Sequence, residues 1–278
     1  MKPMEWLVIG GVVALIAVAL AVRLLRRAKL RRATLPLTLA YLEAGGMQSP
    51  RYSPKESIAG MVYPYKADWE DFQKSVWHTV RKDFADGKQY VSGIYRDYPV
   101  LLSQVHLWVR DEDPNAPLIA LGSGSYNRQW KDFTYFRGEW FIFRMKARCD
   151  ADLTLIDRRL TQREDDHYPG GTTKTPRCVP EPILVGLYDA YGSSAQEEAI
   201  CALMTSEAVR VLKKLHERYR PVIFLRGNQL QIGLSELDLD FLRHSDETEE
   251  EWQKRQNLFA VLDDLTELIR LWGDPPKE

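Results

Sequence analysis

The chain is poor in the residues that usually announce chemistry. It carries three cysteines, Cys149, Cys178 and Cys201, far apart and in no CxxC pair. An odd, scattered set is a poor disulfide framework and suits a reducing cytoplasm. Charge of one sign is not in excess either, with 38 Lys and Arg against 39 Asp and Glu. That balance argues against a general nucleic-acid surface. Gly122-Ser123-Gly124-Ser125 lacks the Lys-Ser/Thr of a P-loop and the G-x-S-x-G elbow, so it reads as a plain loop. The five histidines form no ligand pair. No catalytic, cofactor-binding or metal-ligating residue is assigned on these grounds, and no cofactor is expected.

What the chain does have is one long run without charge. Residues 6–25 read WLVIGGVVALIAVALAVRLL, interrupted only by Arg23, and RRAKLRR follows at once. A helix rises about 1.5 Å per residue and a bilayer core of about 30 Å takes about 17–25 apolar residues. The run from Trp6 to Leu25 is long enough if Arg23 snorkels to the headgroups. Trp6 suits an interfacial position at the other end. Arg23, Arg26, Arg27, Lys29, Arg31 and Arg32 lie after the run, against Lys2 and Glu5 before it. The positive-inside rule then puts the C-terminal side in the cytoplasm, a single-pass inner-membrane topology. The same cluster makes a basic neck for anionic lipid. A cleaved signal peptide is the rival reading, with Ala17-Val18-Ala19 as a cleavage tripeptide, but six basic residues at the mature start would oppose export. Gly10, Gly11 and Ala14 make a small-residue face that could admit a neighbouring helix, as in a subunit of a transport complex.

Residues 1–32 hold seven basic residues and one acidic, which leaves 31 basic and 38 acidic beyond, a balance of −7. Residues 33–66, with Pro36, Gly45-Gly46, Pro50, Pro54 and Pro64, read as a linker with one short helix at 37–43. Residues 67–278 then form one α+β domain. Trp69, Phe72, Val76, Val80 and Phe84 recur at helical spacing over 67–86, stopped by Gly87. Alternating segments at 90–95, 100–110, 118–121 and 140–147 read as strands. Residues 157–182 read as a long exposed loop. Ser194-Ala195-Gln196-Glu197 has the form of a capping box, and a second helix follows and ends before Pro221. Residues 222–226 and 230–234 flank Gly227-Asn228-Gln229 as a hairpin. A helix then runs from the acidic cluster at 246–251 to Trp272. The sum is a mostly antiparallel sheet with helices packed on one side, behind an N-terminal transmembrane helix.

Three sets of residues merit a functional reading beside a plain one. Glu164-Asp165-Asp166-His167 puts four metal-ligand types in a row, without the spacing of an EF-hand or a zincin helix; a solvated charge run accounts for it. Asp238 and Asp240 alternate with Leu237, Leu239 and Phe241, either an acid–base pair on one strand face or a solvated face. Tyr126, Trp130, Phe133 and Tyr135 belong to a dense aromatic run, some of it core and the rest a candidate surface for a protein partner.

Two stretches resemble a bacterial membrane-anchored family catalogued as domain of unknown function 3137. Phe136-Arg137-Gly138-Glu139-Trp140-Phe141-Ile142-Phe143 is similar to its F-x-G-x-x-F-x-F segment. Tyr188-Asp189-Ala190-Tyr191-Gly192-Ser193, then Glu198-Ala199, then Leu203-Met204-Thr205, is similar to a second motif. Ile200 and Ser206 stand where that family pattern has Arg and Pro. The resemblance implies an anchored cytoplasmic domain and no particular activity. The reading that results is a membrane-anchored interaction or scaffold domain. An enzyme acting on a membrane-proximal or lipid-linked substrate is the alternative, and an accessory subunit of a transport complex a third.

Overall fold

Alternation along the strands sorts the apolar residues onto two faces of one sheet. On the β-strand Arg220–Arg226, Ile223 and Leu225 join one buried cluster while Val222 and Phe224 join another. The computed structural model describes residues 3–62, 82–112, 119–121, 125–127, 130–161, 184, 186–192, 196–241 and 247–273. In chain order the elements are α1 (Pro3–Ala44), β1 (Gln48–Ser53), a 3-10 turn (Ala59–Met61), β2 (Lys82–Tyr95), β3 (Tyr98–Glu112), β4 (Ile119–Leu121), β5 (Ser125–Asn127), β6 (Trp130–Arg144) and β7 (Leu153–Asp157). They continue with α2 (Arg158–Thr161), β8 (Tyr188–Gly192), α3 (Glu197–Leu203), α4 (Ser206–Arg218), β9 (Arg220–Arg226), β10 (Gln229–Ser235), α5 (Glu249–Arg255) and α6 (Leu258–Gly273).

Eight strands form one sheet in the order β1-β2-β3-β6-β10-β9-β7-β8, and every neighbouring pair is antiparallel. β4 and β5 pair as a separate hairpin. The larger core cluster joins one face of the sheet to α1, α3, α4, α5 and α6, through Leu42, Ile200, Leu212, Trp252 and Leu265 among others. The smaller one lies on the other face and takes Ile58, Ala59 and Val62 around the 3-10 turn, with Leu160 of α2. The apolar stripes of α4 (Ala208, Val209, Val211, Leu212, Leu215) and α6 (Leu258, Val261, Leu262, Leu265, Leu268, Ile269) are what bind them to the sheet.

The ladder is uneven in length. β10 pairs with β6 over Gly138–Arg144, whereas β3 pairs with β6 from Trp130 to Phe143. β2, β3 and β6 therefore run on past β10 as a three-stranded arm. The β9–β10 hairpin is the one the sequence predicts, closed at Gly227-Asn228 with Gly227 at φ 55. A left-handed residue there favours glycine.

Several boundaries differ from the sequence reading. Residues 33–62 are not a bare linker: α1 runs through Pro36 to Ala44, β1 is an edge strand, and Leu42, Met47 and Tyr52 are buried. Packing on the domain overrides the breakers. Most of the helix expected over 67–86 lies outside the described residues, but Lys82–Asp86 are strand, paired with His106–Arg110. Residues 157–161 end β7 and form α2; 162–183 lie outside the described residues. Gln196, and not Ser194, is the N-cap of α3, and its amide instead spans Asp150 O (2.8 Å) and Asp152 N (3.1 Å). The C-terminal helix is broken at Gln256-Asn257 into α5 and α6.

Among the described residues, no helix is long and apolar enough to cross a membrane. The side chains of residues 6–13, 15 and 24, half of the run 6–25, lie outside the described residues. Backbone through that run is helical.

Candidate functional site

The chain leaves β10 at Glu236, which takes φ 75, and then crosses the helical face of the sheet as an irregular strap. Leu237, Leu239 and Phe241 point into the main core and are buried. Three neighbouring strands grip the strap at successive points. Gln104 on β3 donates Nε2 to Asp238 Oδ1 at 2.8 Å. Glu139 on β6 accepts the Leu239 N–H at Oε1, 3.0 Å away. Gln89 on β2 accepts the Phe241 N–H at 3.0 Å and donates Nε2 to Asp240 Oδ1 at 3.2 Å. Gln89 reaches the strap from a bulge between Lys88 and Val91, where its φ is 63. Ser103 Oγ satisfies the Lys88 carbonyl beside that bulge at 2.8 Å.

Glu139 is the unusual member. It is fully buried, and its Oε2 has no hydrogen-bond partner among the described residues. Burial pushes its carboxyl up to about 8. The Leu239 N–H pulls the other way, Asp238 and Asp240 push upward, and Lys88 opposes them. Beyond the strap, Asp240 O accepts from Arg255 Nη1 (2.6 Å) and Gln256 Nε2 (3.0 Å), and Phe241 O accepts from Trp252 Nε1 (3.1 Å). Arg255 is paired with Glu247 at 2.8 Å. α5 then meets α1. Tyr41 packs edge-on to Trp252 (5.5 Å between rings), lies against Phe259 (5.1 Å), and donates to Gln256 O at 3.3 Å. A continuous set of contacts thus joins the centre of the sheet to the helix that carries the apolar run.

A second buried carboxylate ties α4 to the sheet. Asp157, at the end of β7, accepts from Arg159 N (2.9 Å), Arg159 Nε (2.9 Å) and Arg159 Nη2 (2.6 Å). His216 Nδ1 lies 2.7 Å from Asp157 Oδ2, close enough for an ionic contact. Its ring N–H is not aligned for a hydrogen bond. Arg159 also donates to the carbonyls of His216 and Tyr219 at the end of α4. Tyr188 donates to Leu212 O at 2.7 Å, and burial pushes its phenol well above its ordinary range. Asp157, Arg159 and Tyr188 are each hydrogen-bonded to neighbours in this cluster, which is the signature of a structural clasp.

The predicted residues are placed as follows. Asp238 and Asp240 are not on a strand face; they flank Leu239 on the strap, and their carboxylates are held by two different glutamines. Tyr126 lies on β5, and Trp130, Phe133 and Tyr135 on the part of β6 that belongs to the arm; their side chains lie outside the described residues. On the same arm His106 stacks on Trp108 (4.7 Å between rings) and contacts Thr134 at 2.8 Å. Arg23, Leu25 and Lys29 are exposed on α1. The side chains of Trp6, Arg26, Arg27, Arg31 and Arg32, and the whole of 164–167, lie outside the described residues. An open groove of about 620 Å³ runs along α4 past Met204, Val209, Arg210 and Lys214. Arg210 is paired there with Glu267 and Lys214 with Asp264, and neither Asp238 nor Asp240 lines it.

Sequence reasoning missed Glu139. The signal was a lone acid amid the apolar run Trp140–Phe143, where a strand facing two cores has no solvent for a carboxylate. Comparison with family models, with curated proteins and with solved structures finds no match to this chain.

Proposed function

We propose that this chain is a single-pass inner-membrane protein whose cytoplasmic α+β domain binds a protein partner, without catalysis as its primary role. One observation carries the anchor. Residues 16–22 of α1 (Ile-Ala-Val-Ala-Leu-Ala-Val) are all exposed. At about 100° per residue, seven in succession present apolar surface on every side of the helix. Ile16, Val18, Leu20 and Leu25 are each more than half exposed. A helix that is apolar all round is stable when lipid or protein surrounds it. The charge-free run 6–22 and its six following basic residues favour lipid, and they favour a cytoplasmic exit with anionic headgroups at the neck.

The partner is assigned to the arm. Backbone of Trp130, Phe133 and Tyr135 extends there beyond the sheet that β10 completes. Aromatics on a projecting ribbon supply the large contact area that partner recognition uses.

The test has two arms. Carbonate washing of membranes should leave the protein in the pellet, and a reporter fused after Glu278 should be active in the cytosol. A photo-crosslinking side chain at position 130 should capture a discrete partner in intact cells that the same group at Lys254 does not. Release by carbonate, or a reporter active only outside the cytosol, would refute the anchor. Equal capture at both positions would refute the arm.

A further inference from the structure

We propose that Glu139 is a proton-operated latch on the strap 236–241: with its proton the carboxyl holds the strap closed over the sheet, and loss of that proton favours release of the strap. The geometry carries it. Glu139 is fully buried, it is the acceptor for Leu239 N–H at 3.0 Å, and its second oxygen is without a partner among the described residues. An ionised carboxylate at this place would have, among the described residues, only the Leu239 N–H to offset its burial. The charged groups that act on it are Lys88 from β2 and Asp238 and Asp240 from the strap itself. Two of the three are acids, so ionisation adds a third negative charge to the locus. Arg255 and Glu247 neutralise one another and reach the strap through the Asp240 carbonyl. Gln104 and Gln89, the other two grips, are neutral.

Opening would transmit outward. Asp240 O and Phe241 O are the acceptors for Arg255, Gln256 and Trp252 of the α5 region, and Trp252 and Gln256 are what Tyr41 of α1 rests on. The latch is therefore a device by which acidification tightens the seat of α1. It stands apart from the membrane proposal and survives or fails without it.

Hydrogen exchange of the peptide 236–241, in the full chain in detergent micelles, tests the latch. Each wild-type rate is divided by that of Glu139→Gln at the same pH, so that intrinsic exchange chemistry cancels. Both proteins keep all five histidines, so any histidine-driven change cancels too. A released Glu139 titrates near its ordinary 4.5 and a latched one near 8. The ratio should then rise about tenfold per pH unit between those limits and level off above them. A ratio that stays flat overturns the proposal. Where Glu139→Gln does not fold, the wild type alone decides: a buried carboxylic-acid infrared band present near pH 6 and lost near pH 9 supports the latch, as the range of the shift requires. Absence of that band at the lower pH overturns it.

Discussion

If the α1 helix is seated in the domain and does not merely lead to it, removal of the Tyr41 ring must be felt by the whole fold. Tyr41 is half-buried between Trp252 and Phe259, at ring distances of 5.5 and 5.1 Å. Ring-to-alanine changes in cores cost about 3–5 kcal/mol, and each aromatic pair adds about 0.5–1.5 kcal/mol beyond area. Partial exposure places Tyr41→Ala at the lower end, about 3 kcal/mol. The hydroxyl bond to Gln256 O is long at 3.3 Å, so Tyr41→Phe should cost no more than about 0.5–1 kcal/mol. Burial pushes the phenol up to about 12, so the phenol itself stays neutral between about pH 6 and 9 and adds no pH dependence of its own. Urea unfolding of the full chain in mild detergent, followed by tryptophan emission, reads both numbers as midpoint shifts at constant slope. A Tyr41→Ala protein within about 0.5 kcal/mol of wild type would refute the seat, because surface substitutions lie in that range.

Four further outcomes follow from particular contacts. Gly233→Ala puts a Cβ 2.5 Å from Trp140 Cε3 and should cost about 1–3 kcal/mol in the same unfolding assay. Thr248→Ala removes the hydroxyl of a reciprocal capping box with Glu251 and should cost about 1 kcal/mol, with lowered helicity by circular dichroism. Asp157→Ala strands Arg159 and His216; because Arg159 is partly exposed, about 2–4 kcal/mol is expected, below the full range for a buried pair. Between about 4.5 and 8 the folded chain holds a proton on Glu139 that the unfolded chain has released, so wild-type stability falls by about 1.4 kcal/mol per unit as pH rises and is level above that window. Glu139→Gln should lose that slope.

The parts legible in sequence are those where local pattern and tertiary role agree. The β9–β10 hairpin is a two-residue turn between apolar runs, and α4 and α6 carry apolar stripes at helical spacing. Misreadings fall where long-range packing decides. Residues 82–86 carry Phe84 at a helical interval from Val80, yet pairing with β3 makes them strand. Pro50 and Gly45-Gly46 read as breakers, and an edge strand tolerates proline. Asp238 and Asp240 alternate like a strand face, but φ 75 at Glu236 ends β10 and turns the chain across the sheet. The partners that define their role, Gln89, Gln104 and Glu139, are remote in sequence and come together only through the strand order β2-β3-β6.

Pro36 lies inside α1, between the basic stretch 23–32 and the segment packed on the domain. Within a helix, proline removes a backbone donor and crowds the carbonyl four residues back, here that of Arg32, the last residue of the basic neck. Thr34 and Thr38, on either side of it, are buried, and Thr38 Oγ1 donates to the Thr34 carbonyl at 3.0 Å, a back-bond of the kind that bends helices. The weakened rung, from Arg32 to Pro36, therefore lies where the basic stretch gives way to the buried part of α1, about one and a half turns before Tyr41 and Leu42 fix the helix to the domain. From Leu25 to Leu42 a helix advances about 26 Å. An anchor that ended in a flexible linker would leave the domain free to tumble at the membrane. In the proposed topology a continuous helix with one softened rung would instead set a distance and a limited range of tilt, and the proposed latch would act through α5 on the segment next to the basic stretch.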